Sequence, residues 1–184
     1  MPKFIPHALD GVIEVVPDRF GDDRGFFSEV WNERAWSEAG IAVPFVQDNH
    51  SVSEKVGTLR GLHFQTPPAG QAKLVRVIKG AVFDVAVDIR KKSPTFGKWV
   101  GIEVSAAKWN QLFIPEGFAH GFVTLEPDTH FLYKVSGFYS KDNDRSIRFD
   151  DPAIGIEWPI DVSNAILSAK DQAAPLLADL DTEF

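Results

Sequence analysis

An all-β fold, a sandwich or barrel of short strands with a few short peripheral helices, is predicted by two features of the sequence. Apolar and polar residues alternate at period two in many short runs, and Gly or Pro stands between most of them. Long amphipathic helices, which would signal a parallel sheet, do not alternate with these runs.

The clearest strand is AVFDVAVDI, in which Phe83, Val85, Val87 and Ile89 point one way while Asp84, Ala86 and Asp88 point the other. In chain order the remaining expected strands are VIEVV (12–16), GFFSEVW (25–31), FVQDNHSVS (45–53), TLRGLHF (58–64), KLVRVI (73–78), KWVGIEVS (98–105), NQLFI (110–114), GFVTL (121–125) and HFLYKVSGFY (130–139). One helix is expected in NERAWSEAG, where Asn32 can cap, Glu33 suits the positive helix start and Gly40 supplies a left-handed stop. A second is expected near DQAAPLLADL. No internal repeat or shift in composition marks a linker, so residues 1–184 are expected to form one domain, with a short N-terminal strand arm and a C-terminal helical tail.

Composition narrows the chemistry. The 184 residues carry a formal charge of -7, which repels polyphosphate at long range and argues against nonspecific nucleic-acid binding. There are no cysteines, so disulfides, thiolate nucleophiles and Cys-ligated metal are excluded, leaving His and carboxylate chemistry. The start MPKFIPHALDG has no apolar run after its lysine, and the apolar stretches elsewhere are broken by Asp well short of the ~18 residues of a membrane helix. A soluble cytoplasmic protein with no membrane association is expected.

Two histidines and a lysine draw attention. In TLRGLHF, Arg60 and His63 would leave opposite faces of a regular strand, unless Gly61 marks a bulge that re-aims one of them. Taken alone, His63 reads equally well as a hydrogen-bonded core residue. Yet IPEGFAHGF places His120 after a Pro-Gly turn, and Lys73 opens the strand between. Gly57 precedes His63 by five intervening residues, Gly80 follows Lys73 by six, and Pro115, Gly117 and His120 complete a P-x-G-x-x-H pattern. These spacings resemble the two motifs of the cupin superfamily, which implies a cupin-type jelly-roll β-barrel. At the positions of that superfamily's metal ligands stand His63, Gln65, Lys73 and His120. An ammonium has no lone pair and repels a divalent cation, so no metal is expected and the pocket should attract negative charge instead.

The strings GTLRGLHFQ, QAKLVRV, DVAVDIRKKSPTFGKWVG, QLFIPEGFAHGF, FLYKV and LSAKD, spread from about Asp10 to Pro175, are similar to the dTDP-4-dehydrorhamnose 3,5-epimerase family. The resemblance implies a dTDP-linked 4-keto-6-deoxyhexose substrate, epimerised at C3 and C5 with no cofactor. Both carbons flank the C4 ketone, so the reaction needs a base, a positive group at the ketone oxygen and an acid on the opposite face. By family match His63 is the base, Asp171 its carboxylate partner, Lys73 the cation for the enolate and Tyr133 the acid. Tyr139 matches the residue stacking on thymine, and Arg60 and Arg24 match diphosphate contacts. Gln47, Asp48, Asn49, Glu29, His120, Asp144 and Lys170 match further substrate-binding positions. Homodimers are also implied, with N-terminal strands exchanged so that the segment from Arg24 to Glu29 reaches the neighbouring pocket.

The chain departs from the family beside the stacking tyrosine. Asp144 stands where members often have Glu, and Lys141, Ser146 and Phe149 replace the usual proline, glycine and tryptophan. These changes bear on the nucleotide more than on the chemistry. Competing readings are an epimerase acting at C3 or C5 alone, a noncatalytic sugar-nucleotide-binding cupin, and a metal-dependent cupin oxygenase.

Overall fold

The computed structural model describes residues 1–184. Its strands are β1 (Lys3–Pro6), β2 (Ile13–Val16), β3 (Phe20–Asp22), β4 (Gly25–Phe27), β5 (Gln47–Ser53), β6 (Leu59–Gln65), β7 (Lys73–Lys79), β8 (Ala81–Asp88), β9 (Trp99–Ser105), β10 (Gln111–Ile114), β11 (Phe118–Thr124), β12 (Thr129–Val135) and β13 (Asp144–Ser146). Two short helices, α1 (Glu33–Glu38) and α2 (Ala169–Gln172), lie outside them. A six-stranded sheet runs β1-β2-β10-β7-β12-β5, a five-stranded sheet runs β13-β6-β11-β8-β9, and β3 and β4 form a separate hairpin. All ladders between these strands are antiparallel, and the whole is a cupin-type jelly roll.

The apolar residues form three layers. Between the sheets, Val75, Val77, Leu112 and Phe131 of the larger sheet meet Val82, Ala86, Val104 and Phe122 of the smaller. Outside the smaller sheet, Leu59, Leu62, Val85 and Val87 are covered by Ile147, Phe149, Ile154, Trp158 and Leu177 of the C-terminal segment. Outside the larger sheet, Val15, Leu74 and Phe113 are covered by Trp36 of α1 and by Ile41. The alternation in AVFDVAVDI is therefore real, but both of its faces are buried. Asp84 lies on the inner face with no solvent exposure.

Local expectations fare unevenly. The Asn32 side chain caps α1 by accepting from the Ala35 N–H, and Gly40 has φ +95°. The run 130–139 ends as a strand at Val135, where Ser136 and Gly137 turn the chain and leave Phe138 and Tyr139 exposed. At Gly137 a Cβ would stand 3.0 Å from the Gly70 carbonyl oxygen, so a side chain at this bend would crowd that backbone. Of 25–31 only Gly25–Phe27 pairs as a strand. DQAAPLLADL is not one helix: α2 stops at Gln172, Pro175 follows, and Leu177–Asp179 forms a separate 3-10 turn.

The bulge at Gly61 is present. His63 pairs with His120 and Arg60 with Phe122, so three steps along β6 match two along β11. Gly61 has φ +126°, and a Cβ there would lie 2.6 Å from the Gly121 Cα, closer than backbone allows. The extra residue turns Arg60 and His63 into the same space between the sheets. β1 pairs with the chain's own β2 at the sheet edge.

Candidate active site

A cavity of about 580 Å³ opens at the polar end of the space between the sheets. This is the size of a small-ligand site. The larger sheet contributes Gln47 and Asn49 from β5, Lys73 from β7 and Tyr133 from β12. The smaller sheet contributes Arg60 and His63 from β6 and His120 from β11. His63 and Tyr133 thus reach the cavity from opposite walls.

His63 Nε2 lies 2.6 Å from Asp171 Oδ1. α2 delivers that carboxylate: Ser168 caps the helix by accepting from the Asp171 N–H at 3.1 Å, and its hydroxyl donates back to Asp171 Oδ2 at 2.9 Å. Both carboxylate oxygens are thereby engaged. Burial pushes the Asp171 carboxyl up, but the bonds from His63 and Ser168 outweigh it and hold the group below the usual carboxylate range. With Nε2–H given to the carboxylate, His63 keeps its lone pair on Nδ1.

Lys73 is buried, and its ammonium donates to the His63 carbonyl at 3.3 Å. Burial pulls its pKa down to about 8, while Asp84 and Asp144 work in the other direction. Tyr133 is pushed up by burial, so it remains a neutral phenol at neutral pH. His120 Nε2 stands 3.0 Å from each oxygen of Asp84. Burial pushes the Asp84 carboxyl up and the His120 imidazole down, each opposed by the attraction of its partner.

At the rim, exposed Tyr139 donates its hydroxyl to Asp144 Oδ2 at 3.3 Å, and Lys170 donates to the same oxygen at 2.5 Å. The Tyr139 N–H donates to Gln47 Oε1 at 3.4 Å. Three expected residues lie elsewhere. Asp48 points to the outer face of β5, where it pairs with Lys134 at 2.9 Å, because neighbours along a strand alternate. Arg24 is 89% exposed on the β3–β4 hairpin and grips Asp22, and Glu29 accepts from Asn32. Gln65, at a cupin ligand position, spends its amide on the backbone of Ala69, Phe138 and Ser140. No group of three or more His, Asp or Glu side chains converges as a metal cluster would.

The resemblance did not supply two of these side chains, Asp84 and Ser168. A carboxylate inside an apolar strand was the signal for the first, and a serine three residues before Asp171 for the second.

The family model described as dTDP-4-dehydrorhamnose 3,5-epimerase matches residues 6–179. A Salmonella typhimurium protein named dTDP-4-dehydrorhamnose 3,5-epimerase is 56% identical over 174 residues, 94% of each chain. A Legionella pneumophila epimerase solved in complex with dTDP-4-keto-L-rhamnose superposes with a TM-score of 0.94 at 45% identity, covering 100% of this chain and 96% of that one. A Bacillus anthracis dTDP-4-dehydrorhamnose 3,5-epimerase with TDP and PPi bound gives 0.92 at 46% identity, with 96% and 99% covered. Matched along almost its whole length in both sequence and fold, the chain belongs to the dTDP-4-dehydrorhamnose 3,5-epimerase family.

Proposed function

We propose that this enzyme epimerises a dTDP-linked 4-keto-6-deoxyhexose at both C3 and C5 by proton transfers alpha to the C4 ketone. The observation that carries this reading is the 2.6 Å His63–Asp171 pair on one wall, with Tyr133 on the other and the Lys73 ammonium in the same cavity. His63 Nδ1 takes the proton from the carbon, and Asp171 favours the imidazolium that results. The electron pair left on carbon moves onto the ketone oxygen as an enolate, which the Lys73 ammonium stabilises by a few kcal/mol, about 3. Tyr133 then gives its phenolic proton to the opposite face of the same carbon, inverting it. Burial keeps Tyr133 protonated for this step, and neighbouring Arg60 eases the charge of the phenolate left behind. Solvent exchange restores both groups, and repetition at the second carbon completes the double inversion.

On this reading Arg60, Lys170, Gln47, Asn49 and Tyr139, which line the cavity, hold the nucleoside diphosphate. A guanidinium suits paired phosphate oxygens, and an exposed tyrosine offers a face for thymine. Incubation with the 4-keto sugar nucleotide in D2O is expected to place deuterium at C3 and C5. Label at one carbon would make the protein a single-centre epimerase, and label at neither would leave it a binding protein.

The same reading makes the protein a homodimer. The hairpin that carries Arg24 exposes Phe20, Phe26 and Phe27, an apolar surface suited to a second copy, whose cavity Arg24 and Glu29 would complete. Sedimentation at twice the chain mass is expected; a monomer that turns over at full rate would remove this part.

A further inference from the structure

A second His–Asp pair, of which only His120 lines the cavity, takes no part in the proton transfers above. We propose that Asp84 is a positioning residue for the epimerisation: lying behind the cavity wall, it fixes the His120 tautomer and supplies the counter-charge for the Lys73 ammonium. This rests on the epimerase reading and adds to it a residue that touches no substrate.

A carboxylate with no solvent exposure is expensive unless it is paired, and the interior of an apolar strand is an unfavourable place for one. Asp84 lies on the inner face of β8 between Phe83 and Val85, with both oxygens directed at a single ring nitrogen, His120 Nε2. A neutral imidazole that donates from Nε2 keeps its acceptor on Nδ1. The ring is further held by Phe131, stacked at 6.1 Å between centroids and 22° between planes. The tautomer and the plane of His120 are therefore both set before a ligand arrives, and the ring can offer a substrate hydroxyl only an acceptor.

The charged and titratable groups that act on the Lys73 ammonium are Asp84 from β8, Asp144 from β13, Lys170 from α2 and His120 from β11, and the ammonium donates to the His63 carbonyl of β6. Of the two carboxylates, Asp144 is already engaged by Lys170 at the rim. Asp84 is the buried one, and its pull on the Lys73 charge is the larger. A neutral His120 leaves Asp84 and Lys73 to balance one another, so that the cavity keeps a cation where the enolate oxygen forms.

Asp84→Asn keeps an acceptor for His120 and removes the charge. Its kcat is expected to fall at least tenfold at neutral pH with KM for the dTDP sugar changed less than threefold, and the alkaline limb of kcat/KM should move at least one pH unit lower. An unchanged limb and kcat in a folded variant would overturn the proposal while leaving the epimerase reading intact. Loss of wild-type exchange in D2O would instead count against the reading itself. Should the variant not fold, 15N spectra of histidine-labelled wild-type protein decide the first half: His120 is expected with Nε2 protonated and Nδ1 bare. An Nδ1–H tautomer or an imidazolium at neutral pH would overturn it.

Discussion

The cavity is served by two pairs of the same residue types, and the pairs differ in their access to water. His63 is 34% exposed and Asp171 3%, whereas His120 is 8% exposed and Asp84 is sealed off entirely. In the open pair, hydrogen bonds from His63 and Ser168 overcome burial and keep the carboxylate ionised. In the closed pair, burial lowers the His120 imidazole, which stays uncharged at neutral pH, while the attraction of His120 and Lys73 opposes the rise that burial gives the Asp84 carboxyl. Chemical identity therefore does not assign the work. An imidazole that water and substrate can reach is able to change its charge during turnover, while one that is walled in is better suited to holding a fixed arrangement.

The sharpest way to break this contrast is to truncate each ring. His63→Ala should lower exchange at both carbons by about 10²–10⁴-fold. Unfolding free energy should fall by about 1–2 kcal/mol, since His63 is partly exposed and Asp171 keeps its bond from Ser168. His120→Ala should cost about 2–4 kcal/mol of stability, because it opens a void and strands the Asp84 charge. Urea titrations with D2O exchange on both variants measure this, and equal stability losses would erase the distinction. Tyr133→Phe isolates the open pair: net inversion should fall about 10²-fold while exchange from the His63 side continues within a few-fold, and parallel loss of both would remove Tyr133 as the acid.

The smallest effect is a pH dependence. Lys73 has its folded-state pKa lowered to about 8, so kcat/KM should decline as pH rises through about 8 and the ammonium becomes an amine. The folded protein loses this proton before the unfolded chain does, so this group makes stability rise, not fall, with pH across that window. A decline that followed unfolding, seen by circular dichroism, would place its cause elsewhere.

The strand content could be read from alternation because sheet faces impose a period of two, and the Asn32 cap could be read because its mechanism is local. The Gly61 bulge was available as a possibility from the mismatch between Arg60 and His63 on a regular strand. What sequence could not provide was depth. Alternation set Asp84 and Asp88 opposite Phe83 and Val85 without saying that both faces are covered, because a run covered on both faces and one covered on a single face can share the same pattern. Asp48 shows the reverse difficulty: it is adjacent to two cavity residues and belongs to the other face, where Lys134 meets it. The Asp171 partnership with His63 spans 108 positions, and only the closing of α2 onto β6 brings them together.

The additional residue at Gly61 changes the parity of β6, and this bears on how the barrel can be recombined with its relatives. A chimera that carried the guanidinium and the imidazole on this edge but dropped that one position would send one of them out through the wall, whatever was altered elsewhere. Residues 60–63 and 120–122 are therefore a cassette, to be exchanged together or left alone.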